Sequence, residues 1–405
     1  MQENTQLVTA GRHPERFGGV VNTPIFRGST ILAGSMDEWE RMKRARAADE
    51  FGATTYGRYG AATHHALQEA VAQIEGGYRS LVYPSGLAAI STALTALLAT
   101  GDHVLVPDSA YSPTRSFLKN VLSRYGVEVD VYDPLLGDGI DALMKPNTRV
   151  VFVESPGSET FEIQDIPAIA AVAHARGALV VMDNTWGTPL FFKPFKHGVD
   201  VSIQAATKYI VGHSDALMGI VTCTREVWPK IKATSSDMGQ TTSPDDIYLA
   251  LRGLRTMGVR LARHHESGLA VASWLERRAD VEAVLHPGLP SHPGHALWKR
   301  DFTGACGLFT VVLRTVSVPA MHAFVDALEH FGIGVSWGGY ESLVIPFTPG
   351  ASHTGARWPW KGLALRLHVG LEDVPDLLAD LERGFAALQA AERSAAAPAK
   401  HPVAA

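Results

Sequence analysis

The chain has 405 residues, 46% of them hydrophobic and 19% charged, with a net charge of −5. That is enough apolar sequence for a large core, and it excludes the broad basic face that nucleic-acid binding requires. No apolar run reaches the roughly 18 residues of a membrane span, the start Met1-Gln-Glu-Asn lacks a signal-peptide pattern, and two cysteines, Cys223 and Cys306, in apolar surroundings favour a reducing cytoplasm over a disulfide framework.

Residues 1–60 read as an arm rich in Gly, Thr and Arg, with one charged helix near Met36 to Asp49 and the basic run Arg41 to Arg46 on its solvated face. From residue 81 strand and helix patterns alternate. The predicted strands are Leu81–Tyr83, His103–Val106, Val127–Tyr132, Val150–Glu154, Leu179–Asp183, Val199–Ala205 and Leu217–Cys223, with helices at Leu87–Ala99, Ser112–Tyr125 and Ile166–Arg176 between them. Strands apolar on both faces predict an α/β fold, a mainly parallel seven-stranded sheet with helices on both faces. Ligands in such sheets bind beyond the carboxyl ends of the strands, where Ser85, Tyr111, Asp183 and Lys208 fall.

Pro84-Ser85-Gly86-Leu87 stands where a strand gives way to a helix, so its small residues can let backbone N–H groups face a phosphate; it is also a common plain turn. Tyr111, just past the second strand, either caps a core or stacks on a planar ring. Gly137-Asp-Gly-Ile-Asp-Ala142 loosely fits a dinucleotide fingerprint, but it follows the turn Asp133-Pro-Leu-Leu rather than a strand and reads as a loop.

Asp183 closes one buried-looking strand, and Ala206-Thr207-Lys208 follows the next. Taken alone, Thr207-Lys208 is also the pattern of a turn with a solvated lysine. Desolvation at a strand end, however, lowers an amine's pKa and makes it a nucleophile. An acid and a lysine converging from successive strands suit pyridoxal 5′-phosphate, whose aldehyde takes a lysine and whose ring nitrogen takes a carboxylate.

A long helix over Pro244 to Arg278 follows, whose Arg252, Arg255, Arg260 and Arg263 read as solvated or interface charges. His286, His292 and His295 sit in a Pro/Gly-rich stretch predicted to be a surface loop, with no carboxylate or cysteine pattern to complete a metal site. Strands at Gly307–Leu313 and Leu363–Val369, with helices at Val318–Phe331 and Val374–Gln389, predict a smaller C-terminal α+β domain. Arg366 interrupts the second strand and either forms a buried ion pair or grips a carboxylate. The predicted divisions are an arm at 1–60, a cofactor domain at 61–255, a C-terminal domain at 256–393 and a low-complexity, disordered tail at 394–405.

Several motifs together resemble the Cys/Met-metabolism family of fold-type I PLP-dependent enzymes, with a transferase-like fold, up to about residue 390. They are Tyr56-Gly57-Arg58, Asp183-Asn184-Thr185, Ala206-Thr207-Lys208-Tyr209 with Gly212-His213-Ser214-Asp215, Gly253-Leu254-Arg255-Thr256, Ser336-Trp337-Gly338-Gly339-Tyr340-Glu341-Ser342 and Arg366-Leu367-His368-Val369-Gly370. Trp337, Gln204-Ala-Ala-Thr-Lys208 and Lys299-Arg-Asp-Phe-Thr-Gly304 are similar to the branch that cleaves cystathionine by β-elimination; other branches usually carry Ser-Leu-Gly-Gly at 336–339.

The resemblance implies that Lys208 bonds the cofactor aldehyde and acts as catalytic base, that Asp183 holds the ring nitrogen, and that Tyr111 stacks on the ring. It further implies phosphate binding by Gly86, Leu87 and Thr207, joined by Tyr56 and Arg58 of a neighbouring subunit. Arg366 is then the clamp for the substrate α-carboxylate, with Ser336, Trp337 and Tyr111 shaping the pocket. The implied assembly is a homotetramer of two dimers with shared active sites, acting on a small sulfur amino acid. The chain departs from the wider family at Ala205 (usually Ser), Ser158 (usually Asn) and Tyr59 (often basic). The first two are traits of the β-lyase branch, and the third puts in doubt an extra charge near the distal end of the substrate.

Overall fold

A computed structural model of the chain describes residues 1–348 and 358–396. Among these, the helices are α1 (Glu3–Thr9), α2 (Met36–Ala47), α3 (Ala62–Glu75), α4 (Gly86–Leu97), α5 (Ser112–Asn120), α6 (Ile166–Ala175), α7 (Thr188–Phe191), α8 (Trp228–Asp237), α9 (Pro244–Glu276), α10 (His295–Asp301), α11 (Val318–Asp326) and α12 (Val374–Ala396). No helix among the described residues is long and apolar enough to cross a membrane.

The first sheet contains β1 (Arg79–Tyr83), β2 (His103–Pro107), β3 (Glu128–Tyr132), β4 (Thr148–Glu154), β5 (Leu179–Asp183), β6 (Val201–Gln204) and β7 (Gly219–Cys223), in the order β1-β7-β6-β5-β4-β2-β3. Its pairs are parallel except for β7, which runs antiparallel to both β1 and β6. The continuous apolar strands bury both faces. Val151 and Val153 join one core with Met182, Leu67 and Ile169, while Val150 and Phe152 point into another with Val181, Ile90 and Leu94. Seven strands, mainly parallel, is the sheet expected. The last one begins at Gly219 rather than Leu217, because Met218 N–H bonds the Thr207 hydroxyl, at 2.9 Å, in place of a strand neighbour.

The second sheet contains β8 (Val281–Leu285), β9 (Leu308–Leu313), β10 (Gly332–Ile333), β11 (Leu343–Phe347) and β12 (Ala364–His368), in the order β10-β11-β12-β9-β8. Only β10 and β11 pair in parallel. Three of these strands escape a sequence reading. β10 has two residues, β11 carries Pro346, and β8 interrupts its apolar pattern with Glu282. Phe309, Val311, Leu365 and Leu367 pack against Val271 and Leu275 of α9 and Leu381 and Phe385 of α12.

Helix α9 joins the two units. Ser243 caps it through Asp245 N–H, with Pro244 at its first position. Leu254, Met257 and Leu261 belong to the first core, and Val271 and Leu275 to the second, so residue 255 lies inside one unbroken helix. Two of its arginines differ from the sequence reading. Arg260 is buried, its Nη2 donating to the carbonyls of Tyr209 (2.8 Å) and Gly253 (2.7 Å), and Arg255 Nη1 donates to those of Leu7 (2.7 Å) and Ala10 (2.9 Å). Both therefore tie α9 to other segments rather than facing water. Leu7 of α1 is buried in the first core, so part of the arm packs on its own chain.

The histidine stretch is also not a surface loop. His286 and His292 are buried, and their Nδ1 atoms accept the Gly288 and Gly294 N–H groups at 3.0 Å. Helix α12 continues to Ala396, into the segment predicted as a disordered tail, because Leu377, Leu381, Phe385 and Leu388 repeat at helical spacing; the rest of that prediction, and residues 349–357, lie outside the described residues.

Candidate active site

The carboxyl ends of β1, β2, β4, β5 and β6 open onto a cavity of ≈ 250 Å³. Ser85, Gly86, Leu87, Tyr111, Glu154, Asp183, Thr207 and Lys208 line it from the first sheet, and Trp337 and Arg366 from the second.

Helix α4 aims its N-terminus at this cavity. Ser85 caps it by accepting Ala88 N–H at 3.1 Å, and the N–H groups of Gly86 and Leu87 have no intrahelical acceptor. A Cβ on Gly86 would come within 2.7 Å of Ala205 Cβ, so the strand-to-helix turn approaches Ala205 as only glycine allows. Two free donors at a positive helix end suit an anion. Thr207 shares the wall, but its hydroxyl is engaged with Met218, donating to the carbonyl at 3.2 Å and accepting the N–H at 2.9 Å.

Asp183 ends β5 with its carboxylate buried. Thr185 donates its N–H (3.0 Å) and hydroxyl (2.5 Å) to Oδ1, leaving Oδ2 for another donor. Burial pushes the Asp183 carboxyl up, against the Thr185 hydrogen bonds and the charge of Lys208. A cation bound beside it restores the ionised form. Lys208, just past β6, donates from Nζ to Ser336 Oγ at 2.9 Å and lies 5.3 Å from the centroid of Trp337. Burial first, and the Arg366 charge second, bring its amine down to about 8, while Asp183 pulls the other way.

The second sheet delivers the rest. Arg366 sits on β12 opposite Ile345 and Thr310, and its Nη2 donates to the Val335 carbonyl. Gly338 has φ 84, and a Cβ there would meet Lys208 Cα at 2.8 Å, so the 336–339 turn lies directly on the lysine backbone. Beneath it the buried His368 Nε2 lies 3.1 Å from Gly338 N and 3.2 Å from the Gly339 carbonyl.

Sequence reasoning missed Glu154 as a site residue. It is the register partner of Asp183, and its Oε2 accepts Tyr111 N–H at 2.8 Å, fixing the start of α5. Burial first and the Asp183 charge second push its carboxyl well above the ordinary range. An acid ending the strand before Asp183 was the available signal. Glu159, also on the wall, carried none. His368 stands in one of the family-like motifs, but the sequence assigns it no role. Tyr56 and Arg58 do not line the cavity of their own chain. Arg58 donates to the Ser236 carbonyl (2.6 Å) and the Tyr59 hydroxyl (3.1 Å), and Tyr56 is 45% exposed.

A nucleophilic amine, a buried acid with one free oxygen and a helix N-terminus around one cavity fit the aldehyde, ring nitrogen and phosphate of pyridoxal phosphate. Comparison with known proteins agrees. The family model for Cys/Met metabolism PLP-dependent enzymes matches residues 4–386. The Escherichia coli protein named cystathionine beta-lyase MetC is 44% identical over 391 residues, 95% of this chain and 98% of its own. A Wolbachia pipientis protein named L-alanine/L-glutamate racemase is 39% identical over 396 residues, 96% of this chain and 98% of its own. Among solved structures, metB from Corynebacterium glutamicum superposes with a TM-score of 0.87 at 30% identity, covering 95% of this chain and 98% of that one.

Proposed function

The chain belongs to the Cys/Met-metabolism family of PLP-dependent enzymes, and on that premise we propose that it cleaves cystathionine by β-elimination, releasing homocysteine, pyruvate and ammonia in methionine biosynthesis. The observation that carries this reading is the meeting of Lys208 with the Ser336-Trp337 turn, Trp337 being the residue whose resemblance points to the β-lyase branch.

Bound in this cavity, pyridoxal phosphate supplies an electron sink for negative charge at the substrate Cα. Gly86 and Leu87 would hold the phosphate through their N–H groups at the start of α4, with Thr207 beside them, and Asp183 Oδ2 would accept a hydrogen bond from the ring nitrogen and keep it protonated. Tyr111 would cover a face of the ring, its backbone N–H held by Glu154. Arg366 grips the α-carboxylate as a planar fork. Lys208 takes the Cα proton at Nζ: an amine that titrates at about 8 is partly unprotonated near neutral pH, and Ser336 Oγ orients it. The departing sulfur then leaves from Cβ with its electron pair. Tyr56 and Arg58 come to the phosphate from a neighbouring subunit in a homotetramer, which accounts for their position away from their own cavity. The cytoplasm is the proposed setting.

A second reading, racemisation, is favoured by the Wolbachia relative and also begins with loss of the Cα proton. Incubating the purified holoenzyme with L,L-cystathionine and identifying the products separates the possibilities. Homocysteine and pyruvate are expected. Cysteine with 2-oxobutyrate identifies a γ-lyase and overturns the reading, as does turnover confined to the interconversion of L- and D-amino acids.

A further inference from the structure

Among the described residues, three carboxyl groups line the cavity, and one has no hydrogen-bond or ion-pair partner. Glu154 accepts from Tyr111 and Asp183 from Thr185, whereas the Glu159 carboxyl has no hydrogen bond or ion pair among the described residues. Its backbone is held firmly. Ser158 N–H donates to the Ser109 carbonyl (2.7 Å), Phe161 N–H to that of Gly157 (3.1 Å), and the Thr310 hydroxyl to that of Glu159 itself (2.7 Å). Thr310 is the register partner of Arg366, so Glu159 is anchored beside the carboxylate clamp. Its φ of 68 lies in the left-handed region, an unfavourable conformation for glutamate that the surrounding bonds enforce.

A half-buried acid without a protein partner is left to pair with water or with a ligand that carries a cation. Burial raises the Glu159 carboxyl, and only Arg366 and Arg115 draw it back. Arg366 Nη2 meanwhile donates to the Val335 carbonyl, and among the described residues no ion pair joins it to Glu159. With the α-carboxylate of cystathionine on Arg366 and its α-nitrogen directed towards Lys208, the unassigned cation of the substrate is the ammonium on the far side of sulfur.

We propose that Glu159 is a specificity-determining residue that binds the ammonium of the sulfur-side half of the substrate, so that the site prefers thioethers whose leaving half is itself an amino acid. This rests on the β-lyase reading but can fail separately from it.

The test compares the wild-type holoenzyme with Glu159→Gln on two thioethers, L,L-cystathionine and S-(3-carboxypropyl)-L-cysteine, which keeps the carbon chain and distal carboxylate but lacks the distal amine. Both release pyruvate, so one assay reads both, and the cofactor absorbance of each protein reports an intact site. The ratio of kcat/KM for cystathionine over the amine-free analogue is expected to fall about tenfold in Glu159→Gln, through KM, the scale of one charge-assisted hydrogen bond. An unchanged ratio overturns the proposal. So does a common fall in both KM values, which identifies Glu159 as an internal competitor for Arg366, and so does loss of cofactor absorbance, which identifies a structural role. If the wild type releases no pyruvate from cystathionine, the β-lyase reading is what fails.

Discussion

Lys208 Nζ donates to Ser336 Oγ at 2.9 Å across 128 residues of chain, joining the end of β6 to the turn between β10 and β11. A side chain from each sheet thus controls one amine. Burial favours its neutral form, and the serine oxygen gives it a direction.

The lowered amine makes the stability of the cofactor-free protein depend on pH. Native Lys208 titrates at about 8, below its ordinary 10.5, so between those values the unfolded chain holds more protons and stability rises with pH. The penalty is complete below pH 8 and gone above 10.5. In guanidinium denaturation of the cofactor-free protein, Lys208→Met should be stabilising at pH 7 by on the order of 3 kcal/mol, with the gain disappearing towards pH 10.5. In the same protein loaded with cofactor, this substitution abolishes turnover.

Gly338→Ala tests how closely the 336–339 turn must lie on the lysine. The added Cβ meets Lys208 Cα at 2.8 Å, where backbone must shift, and φ 84 is strained for alanine. Thermal denaturation should show a loss of about 1–3 kcal/mol. kcat/KM should drop roughly tenfold or more as Ser336 and Trp337 move off Lys208. Activity and stability equal to wild type would mean that the turn is not positioned by this contact.

Arg366→Lys keeps the charge but removes the planar fork. Cystathionine KM is expected to rise by roughly a hundredfold with a smaller change in kcat, since a point charge cannot hold a carboxylate in two places. Steady-state kinetics separate the two constants, and a fall in kcat alone would argue against a carboxylate clamp.

Buried histidines set an acid limit. Burial lowers His264 and His292 to about 4 and His286 to about 3. As pH falls below the ordinary 6.5, the unfolded chain takes up protons first, so stability declines until the native pKa is reached and then levels off. His292→Asn should retain a side-chain acceptor for Gly294 N–H while removing the titration, so its denaturation midpoint should fall less than wild type between pH 6.5 and 4.5. Parallel pH profiles would exclude His292 as a contributor.

What the sequence alone determined was local or periodic. Apolar runs such as Val150-Val-Phe-Val153 specify strands buried on both faces, Ser85-Gly86 marks a strand-to-helix turn, and Asp183 and Lys208 close successive strands. Those patterns suffice for the main sheet and for one half of the cavity, because parallel order brings the carboxyl ends of its strands to one edge. The other half was decided by tertiary structure. Arg366 faces Lys208 only because β12 pairs with β9 and β11, and α9 holds that second sheet against the first. Nothing local distinguishes the buried Arg260 from a solvated arginine, or the buried His286 from a loop histidine, since Arg260 is held by the distant Tyr209 carbonyl and His286 packs against the ring of Phe309. The same limit hid Glu159. Its charge is legible in the sequence, but its lack of a partner is a property of the folded cavity alone.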